Sequence, residues 1–182
     1  MNDERLTGGF GILGNAKKSR VGKEQRTTDN GPRTAAGGAR TNAAHRLIER
    51  VQSFGAPCAR LVGFEIVEIE DGRAVGRLQA GPQHANPMGT VHGGILCDLA
   101  DAAMGMAFAS TLEHGETFTT LELKINFLRP VWQALLRADA HVTHRGKTVG
   151  LVECVVRDEH RRLVAKAVST CLILRGEQAA GR

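Results

Sequence analysis

Across residues 118–128 apolar and polar side chains alternate with a period of two. Leu121, Leu123, Ile125 and Phe127 fall on one side and Thr120, Glu122, Lys124 and Asn126 on the other. This is the pattern of a strand with one face in a core and one in solvent, and it is the cleanest in the chain. Residues 61–70 alternate less regularly, Phe64, Ile66 and Ile69 against Glu65, Glu68 and Glu70, and Asp71-Gly72 then turns the chain into a second strand over 73–80. Three more strands are expected at 135–145, 149–158 and 163–174, divided by Gly146-Lys147 and by the polar turn 159–162. The rhythm changes over 93–110. Ile95, Leu99, Ala102, Ala103 and Met106 share one broad face at about 100° per residue, while Gly94, Asp98, Asp101 and Gly105 gather on another, which predicts a buried helix carrying two carboxylates. A short helix capped by Thr41 or Asn42 is expected to reach about residue 54, with a turn at Gly55 and Pro57 behind it. Two strands, a long helix and a four-strand antiparallel meander give an α+β fold, one curved sheet wrapped around one helix.

The long helix is entered through a loop punctuated by Gly and Pro, HANPMGTVHGG over residues 84–94. Gly93 and Gly94 at a helix start offer backbone N–H groups free of side chains, suited to an oxygen on which negative charge develops; a tight turn or close packing explains such a pair equally well. Asp98 lies in the first turn, where the helix dipole favours its charge. Asp101 lies a turn further in, where an Asp adds nothing to helix stability, so it is the candidate for chemistry against the alternative of a solvated or ion-paired surface residue. Taken singly, His84, His92, His141 and His144 read as hydrogen-bonded structural residues, and no second ligand stands at metal-binding spacing from any of them.

The pattern N-P-x-G-T-x-H-G-G followed by L-x-D (Asn86, Pro87, Gly89, Thr90, His92, Gly93, Gly94, Asp101), with the later stretch TTLELKINFLRP at 119–130, resembles the hotdog-fold acyl-CoA thioesterases. The resemblance is to the branch holding phenylacetyl-CoA-pathway and 4-hydroxybenzoyl-CoA thioesterases, and it covers roughly residues 43–174. It implies a hotdog fold and hydrolysis of an aryl or medium-chain acyl-CoA without cofactor or metal. Asp101 would then be base or nucleophile, Gly93 and Gly94 would hold the thioester oxygen, and Asn86 and His92 would orient thioester and water. Thr120 would steady the water, with Thr119 as the neighbouring candidate because strand register is open by one residue. Family sites form across subunits, so a homodimer or homotetramer is expected, with Thr120 serving a partner's Asp101. Arg129, Arg145, Lys147 and Thr148, at strand ends and turns, are candidates for the CoA phosphates, and Met88, Met104, Phe108 and Phe118 for the acyl pocket. The rival readings are a non-catalytic acyl-CoA-binding module and a hotdog dehydratase or hydratase.

The chain has 182 residues, 42% of them apolar, enough for one domain with a proper core. Residues 1–42 are instead rich in Gly, Asn, Thr, Lys and Arg and are expected to be disordered, leaving a domain at 43–176 and a flexible tail at 177–182. Of the net charge of +5, residues 1–45 hold eight Lys or Arg against four Asp or Glu, so the remainder is nearly neutral. With no Tyr and no basic helix, a nucleic-acid partner is not expected. Nothing approaches the roughly 20 apolar residues of a membrane span, and a cytoplasmic protein without membrane contact is expected. The cysteines at 58, 97, 154 and 171 form no C-x-x-C pair; Cys97 near the helix start reads first as a small buried hydrophobe and second as a nucleophile.

Overall fold

The computed structural model describes Glu49, Val51 and residues 56–179. Along them run α1 (Pro57–Val62), β1 (Phe64–Glu70), β2 (Arg73–Ala80), a 3-10 turn (Pro82–His84), α2 (Gly93–Ala109), β3 (Glu116–Phe127), β4 (Ala134–Arg145), β5 (Val149–Arg157), β6 (Leu163–Arg175) and a last 3-10 turn (Gly176–Ala179). The six strands make one antiparallel sheet in the order β1-β2-β4-β5-β6-β3. Helix α2 touches all six, which requires the sheet to curve around it. This is the expected α+β architecture. The basic extension, and the short helix expected up to residue 54 apart from Glu49 and Val51, which are helical, lie outside the described residues.

Four local expectations change. The four-strand meander is a three-strand one, β4-β5-β6, because β3 pairs with β6 and not with β4. Segment 128–133 therefore carries the chain across the sheet, and β3 becomes an edge. Residues 57–62 are helical where a turn and a strand start were expected; Pro57 suits a first helical turn and Gly63, at φ +86°, ends it in a left-handed cap. The buried face of α2 is Leu96, Leu99, Ala100, Ala103, Met104, Ala107 and Phe108, so only Leu99 and Ala103 of the expected face lie fully inside. The helix is apolar almost all round, and a wheel does not tell which apolar sector meets the sheet. Finally, the alternation in β3 slips at a bulge between Thr120 and Glu122. Leu121 is the extra residue and stands 58% exposed, while Phe118, Leu123 and Ile125 pack inward.

Small residues let α2 approach the sheet. Ala74, Ala138 and Ala140 are fully buried beneath it, and a Cβ built on Gly76 would lie 2.9 Å from Leu99 Cδ1. Gly150 is tighter still, since a Cβ there would lie 2.0 Å from the Phe108 ring. Leu99, Met104 and Phe108 fill the space, each burial stabilising the fold by about 1.5–3 kcal/mol.

Candidate active site

The motif loop is braced from within. Asn86 Oδ1 accepts the N–H of Met88 (2.9 Å) and of Thr90 (3.2 Å), and its Nδ2 donates to Thr90 Oγ1 (2.9 Å). Its amide is thus occupied in shaping the loop. His84, which its sequence neighbourhood did not single out, is the loop's anchor. It is 6% exposed; its Nδ1 accepts the Gly81 N–H (3.1 Å), which leaves the ring proton on Nε2 to donate to Val62 O (2.8 Å), and its carbonyl accepts the His92 N–H (2.8 Å). The imidazole ties α1 to the end of β2, and the backbone carbonyl ties both to the start of α2. The available signal was its place directly behind Gly81-Pro82, where a turn demands a capping partner.

His92 is the N-cap of α2, and its Nδ1 accepts the Gly94 N–H at 2.9 Å. Gly94, expected to face substrate, therefore spends its N–H inside the cap. The Gly93 N–H has no acceptor among the described residues and stays open at the positive end of the helix. Phe127 was not foreseen here: it closes over Gly93, where a Cβ would lie 2.8 Å from the ring.

Asp101 sits on the exposed side of α2, and Thr120 Oγ1 donates to its Oδ1 at 3.4 Å. The bulge explains the meeting, because it puts Thr120 in step with inward-packed Phe118 while Glu122 and Lys124 stay outside. Thr120 rather than Thr119 is the residue at the carboxylate, and the Asp101 it reaches is that of its own chain. Partial burial raises the Asp101 carboxyl above the usual aspartate value, the Thr120 hydrogen bond opposes this, and the Asp98 charge adds to it. Burial, then Asp98 and Asp101, likewise raise the Cys97 thiol, which disfavours the thiolate a nucleophile needs.

Two grooves separate the expected residues. One, of about 570 Å³, holds Asp101 and Thr120 beside Phe64, Ile66, Ala102, Gly105, Met106 and Phe118. The other, of about 370 Å³, holds Asn86, Gly93, Leu96, Phe127 and Arg129. Eight residues of α2 part Asp101 from Gly93, about 12 Å at 1.5 Å per residue. Of the expected pocket residues Phe118 lines the first groove, Met104 and Phe108 lie on the buried face of α2, and Met88 stands out in solvent. Arg129 lines the second groove. Arg145 instead pairs with Glu116, whose side chain is 6% exposed, lies 5.6 Å from the Phe108 ring centre, and donates to the Gly146 carbonyl. Arg175 completes that pair on Glu116, and Arg145 Nε is buried without an acceptor among the described residues. Lys147 and Thr148, at the β4–β5 turn, line neither groove.

Among the described residues no helix is long and apolar enough to cross a membrane. The thioesterase superfamily model matches residues 88–165. The 1,4-dihydroxy-2-naphthoyl-CoA hydrolase of Listeria monocytogenes is 33% identical over 112 residues, 62% of this chain and 89% of that protein. The acyl-coenzyme A thioesterase PaaI of Escherichia coli is 32% identical over 109 residues, 59% of this chain and 76% of that one. The solved structure of the E. coli PaaI protein from the phenylacetic acid degradation operon superposes with a TM-score of 0.66 at 28% identity, covering 76% of this chain and 95% of that one. With an α2-wrapping sheet, the loop motif and relatives matched over 76–95% of their length, the chain belongs to the thioesterase superfamily and is a thioester hydrolase.

Proposed function

We propose that the chain is an acyl-CoA thioesterase that cleaves aryl or medium-chain acyl-CoA to the free acid and CoA, and that a second copy completes each site. The observation that carries this reading is the Asp101–Thr120 pair at the edge of an apolar groove. The names of the Listeria and E. coli relatives support CoA as the thiol. In the reaction, water attacks the thioester carbonyl carbon while Asp101 takes one of its protons. The oxyanion accepts the Gly93 N–H, then collapses, breaking the C–S bond, and the CoA thiolate leaves with the proton that Asp101 returns. Arg129, beside Gly93, is the cation best placed for the CoA arm.

The distance along α2 argues for two copies. The water held by Asp101 and the oxygen held by Gly93 meet at one carbonyl carbon, so the Asp101 carboxylate and the Gly93 N–H must stand within about 6 Å of each other, and a single helix holds them about 12 Å apart. Strand β3 supplies the remedy. It is a sheet edge, and an antiparallel β3–β3 pairing with its two-fold axis at Lys124 sets Leu123 opposite Ile125 and, past the bulge at Leu121, Thr120 of one copy opposite Phe127 of the other. Since Thr120 touches Asp101 and Phe127 covers Gly93, the Asp101 of one copy then faces the Gly93 of the other. The same pairing accommodates a homodimer or a homotetramer of dimers. Residues 43–176 form the catalytic unit in this reading.

Mixing two inactive variants tests it. In a dimer of D101N with G93P, whose proline lacks the N–H that holds the oxyanion, a shared site leaves one of two sites intact, so an equal mixture should recover about one quarter of parental turnover. Sites confined to single chains would recover none, and that result refutes the shared site. A parent inactive on a panel of aryl-, short- and medium-chain acyl-CoAs refutes the thioesterase reading.

A further inference from the structure

The inner face of β6 is built from Ala165, Ala167, Ser169, Cys171 and Ile173, every one of them buried. Ser169 and Cys171 alone in this row carry a hydrogen-bonding proton, and they stand where β6 passes the Asp101–Thr120 pair. Cys171 is fully buried and faces Thr120 directly across the β3–β6 ladder. Their side chains therefore rise on the same face of the sheet with Cβ atoms about 5 Å apart. Ser169, 4% exposed, has its Oγ 4.0 Å from Cys171 Sγ, its one hydrogen-bond partner among the described residues. A buried hydroxyl matched only with a thiol fills a core less well than the alanines before it in the row. The Cys171 thiol registers all of these groups: burial raises it, the Ser169 hydrogen bond lowers it, the Asp101 charge raises it and the Thr120 hydrogen bond lowers it.

Ionised Asp101 sets the direction of each bond. A carboxylate only accepts, so Thr120 spends its one hydroxyl proton on Asp101 Oδ1 and keeps lone pairs to offer. The thiol facing it is then the donor to Thr120 Oγ1. With its own proton spent, Cys171 accepts from Ser169 through sulfur. Three donors in series point at one carboxylate, and bonds in such a chain strengthen one another. We propose that Cys171 is a positioning residue for Asp101: its thiol donates to Thr120 Oγ1 and so holds the threonine proton on the carboxylate that activates water. This rests on the thioesterase reading above and deepens it. The other titratable groups facing Asp101 among the described residues are Asp98 and Cys97 on its own helix, Arg60 of α1 and Glu65 of β1, and all of them stay in place in the variants below.

Cys171→Ala, Cys171→Ser, Ser169→Ala, Thr120→Ala and the double variant C171A/T120A test the assignment. Thiol release from benzoyl-, acetyl- and hexanoyl-CoA would be followed over a pH series, beside thermal melts. C171A should lose about 5-fold in kcat with KM within about 2-fold of the parent, and its acid limb should move to higher pH. C171S restores a donor, so its kcat should return to within about 2-fold of the parent and its acid limb to the parental position. In the T120A background C171A should change nothing further, because it acts only through that hydroxyl. S169A leaves the thiol in place and should move the acid limb the same way by less, so the reading remains open to refutation even where C171A does not fold. A residue that merely fills the core lowers the melting temperature, leaves the acid limb alone and adds its effect to that of T120A. An acid limb unmoved in both C171A and S169A, or a C171A loss undiminished in T120A, overturns the role of Cys171 and leaves the thioesterase reading standing. If the parent hydrolyses none of the three thioesters, both fall.

Discussion

Asp101→Asn separates the cost of a catalytic carboxylate from its benefit. The substitution keeps the size of the side chain and a hydrogen-bonding oxygen for Thr120, 3.4 Å away, but removes the capacity to take a proton from water. General bases contribute about 100- to 10,000-fold, so kcat should fall by at least about 100-fold with KM nearly unchanged. Stability should move the other way. The Asp101 carboxyl is raised, by burial first and by Asp98 after the opposing Thr120 bond, so the folded chain holds the proton more tightly than the unfolded chain. Its ionisation therefore destabilises the fold as pH rises past the ordinary aspartate range through the raised value, and at neutral pH the full penalty is present. The neutral Asn escapes it, so D101N should melt at or above the parental temperature at pH 7 and show no advantage at pH below the unfolded value, about 3.9. The parental rate should decline as acid protonates Asp101. Thr120→Ala removes the bond that lowers its pKa and should shift that acid limb to higher pH. The assay is a pH series of thiol release with thermal melts at matched pH. D101N with near-parental kcat, or an acid limb unmoved in T120A, refutes Asp101 as the base.

Two further outcomes concern the frame around the site. Gly150→Ala places a methyl 2.0 Å from the Phe108 ring, which also packs on Phe118 and lies against Arg145, so chemical denaturation should show a loss of about 3 kcal/mol, and an unchanged midpoint would contradict the close approach of α2 to β5. Deleting residues 1–42, which lack apolar periodicity, should leave melting temperature and thioesterase rate within error of the parent, and a large drop in either would assign the extension a role.

Elements whose periodicity meets a single boundary between core and solvent were legible in the sequence. Strands β2, β4, β5 and β6 and helix α2 lie within a residue or so of their expected limits. The pairing of β3 was not legible, because alternation reports which side chains are buried and says nothing of which neighbour the strand takes. The same holds for Leu121: hydrophobicity placed it inside, and an unpaired bulge residue put it outside. Around the site, the motif identified Asp101, Gly93, His92 and Thr120 as residues worth following, yet the placing of Gly93 in one groove and of Asp101 with Thr120 in another required the length of α2 in space. Arg145 illustrates the limit from the other side. Its position beside a turn suggested a phosphate contact, and a buried Glu116, 29 residues earlier in the chain, claims its guanidinium.

Coupling between assembly and chemistry follows from the same helix. A helix start concentrates N–H donors and positive potential at its first turn, which suits an oxyanion and depresses the pKa of a nearby acid. A base must instead keep a proton affinity high enough to draw one from water, and Asp101, two turns on in a partly apolar groove, is raised and not depressed. One helix thus supplies both environments but never at one point. An edge strand of twelve residues with no proline and with Leu121 exposed on it is a surface that a monomer would have reason to blunt. In the dimer proposed above, that open edge carries a second copy's helix start to the carboxylate, so that the feature most hazardous to a lone chain is the one on which the shared-site proposal turns.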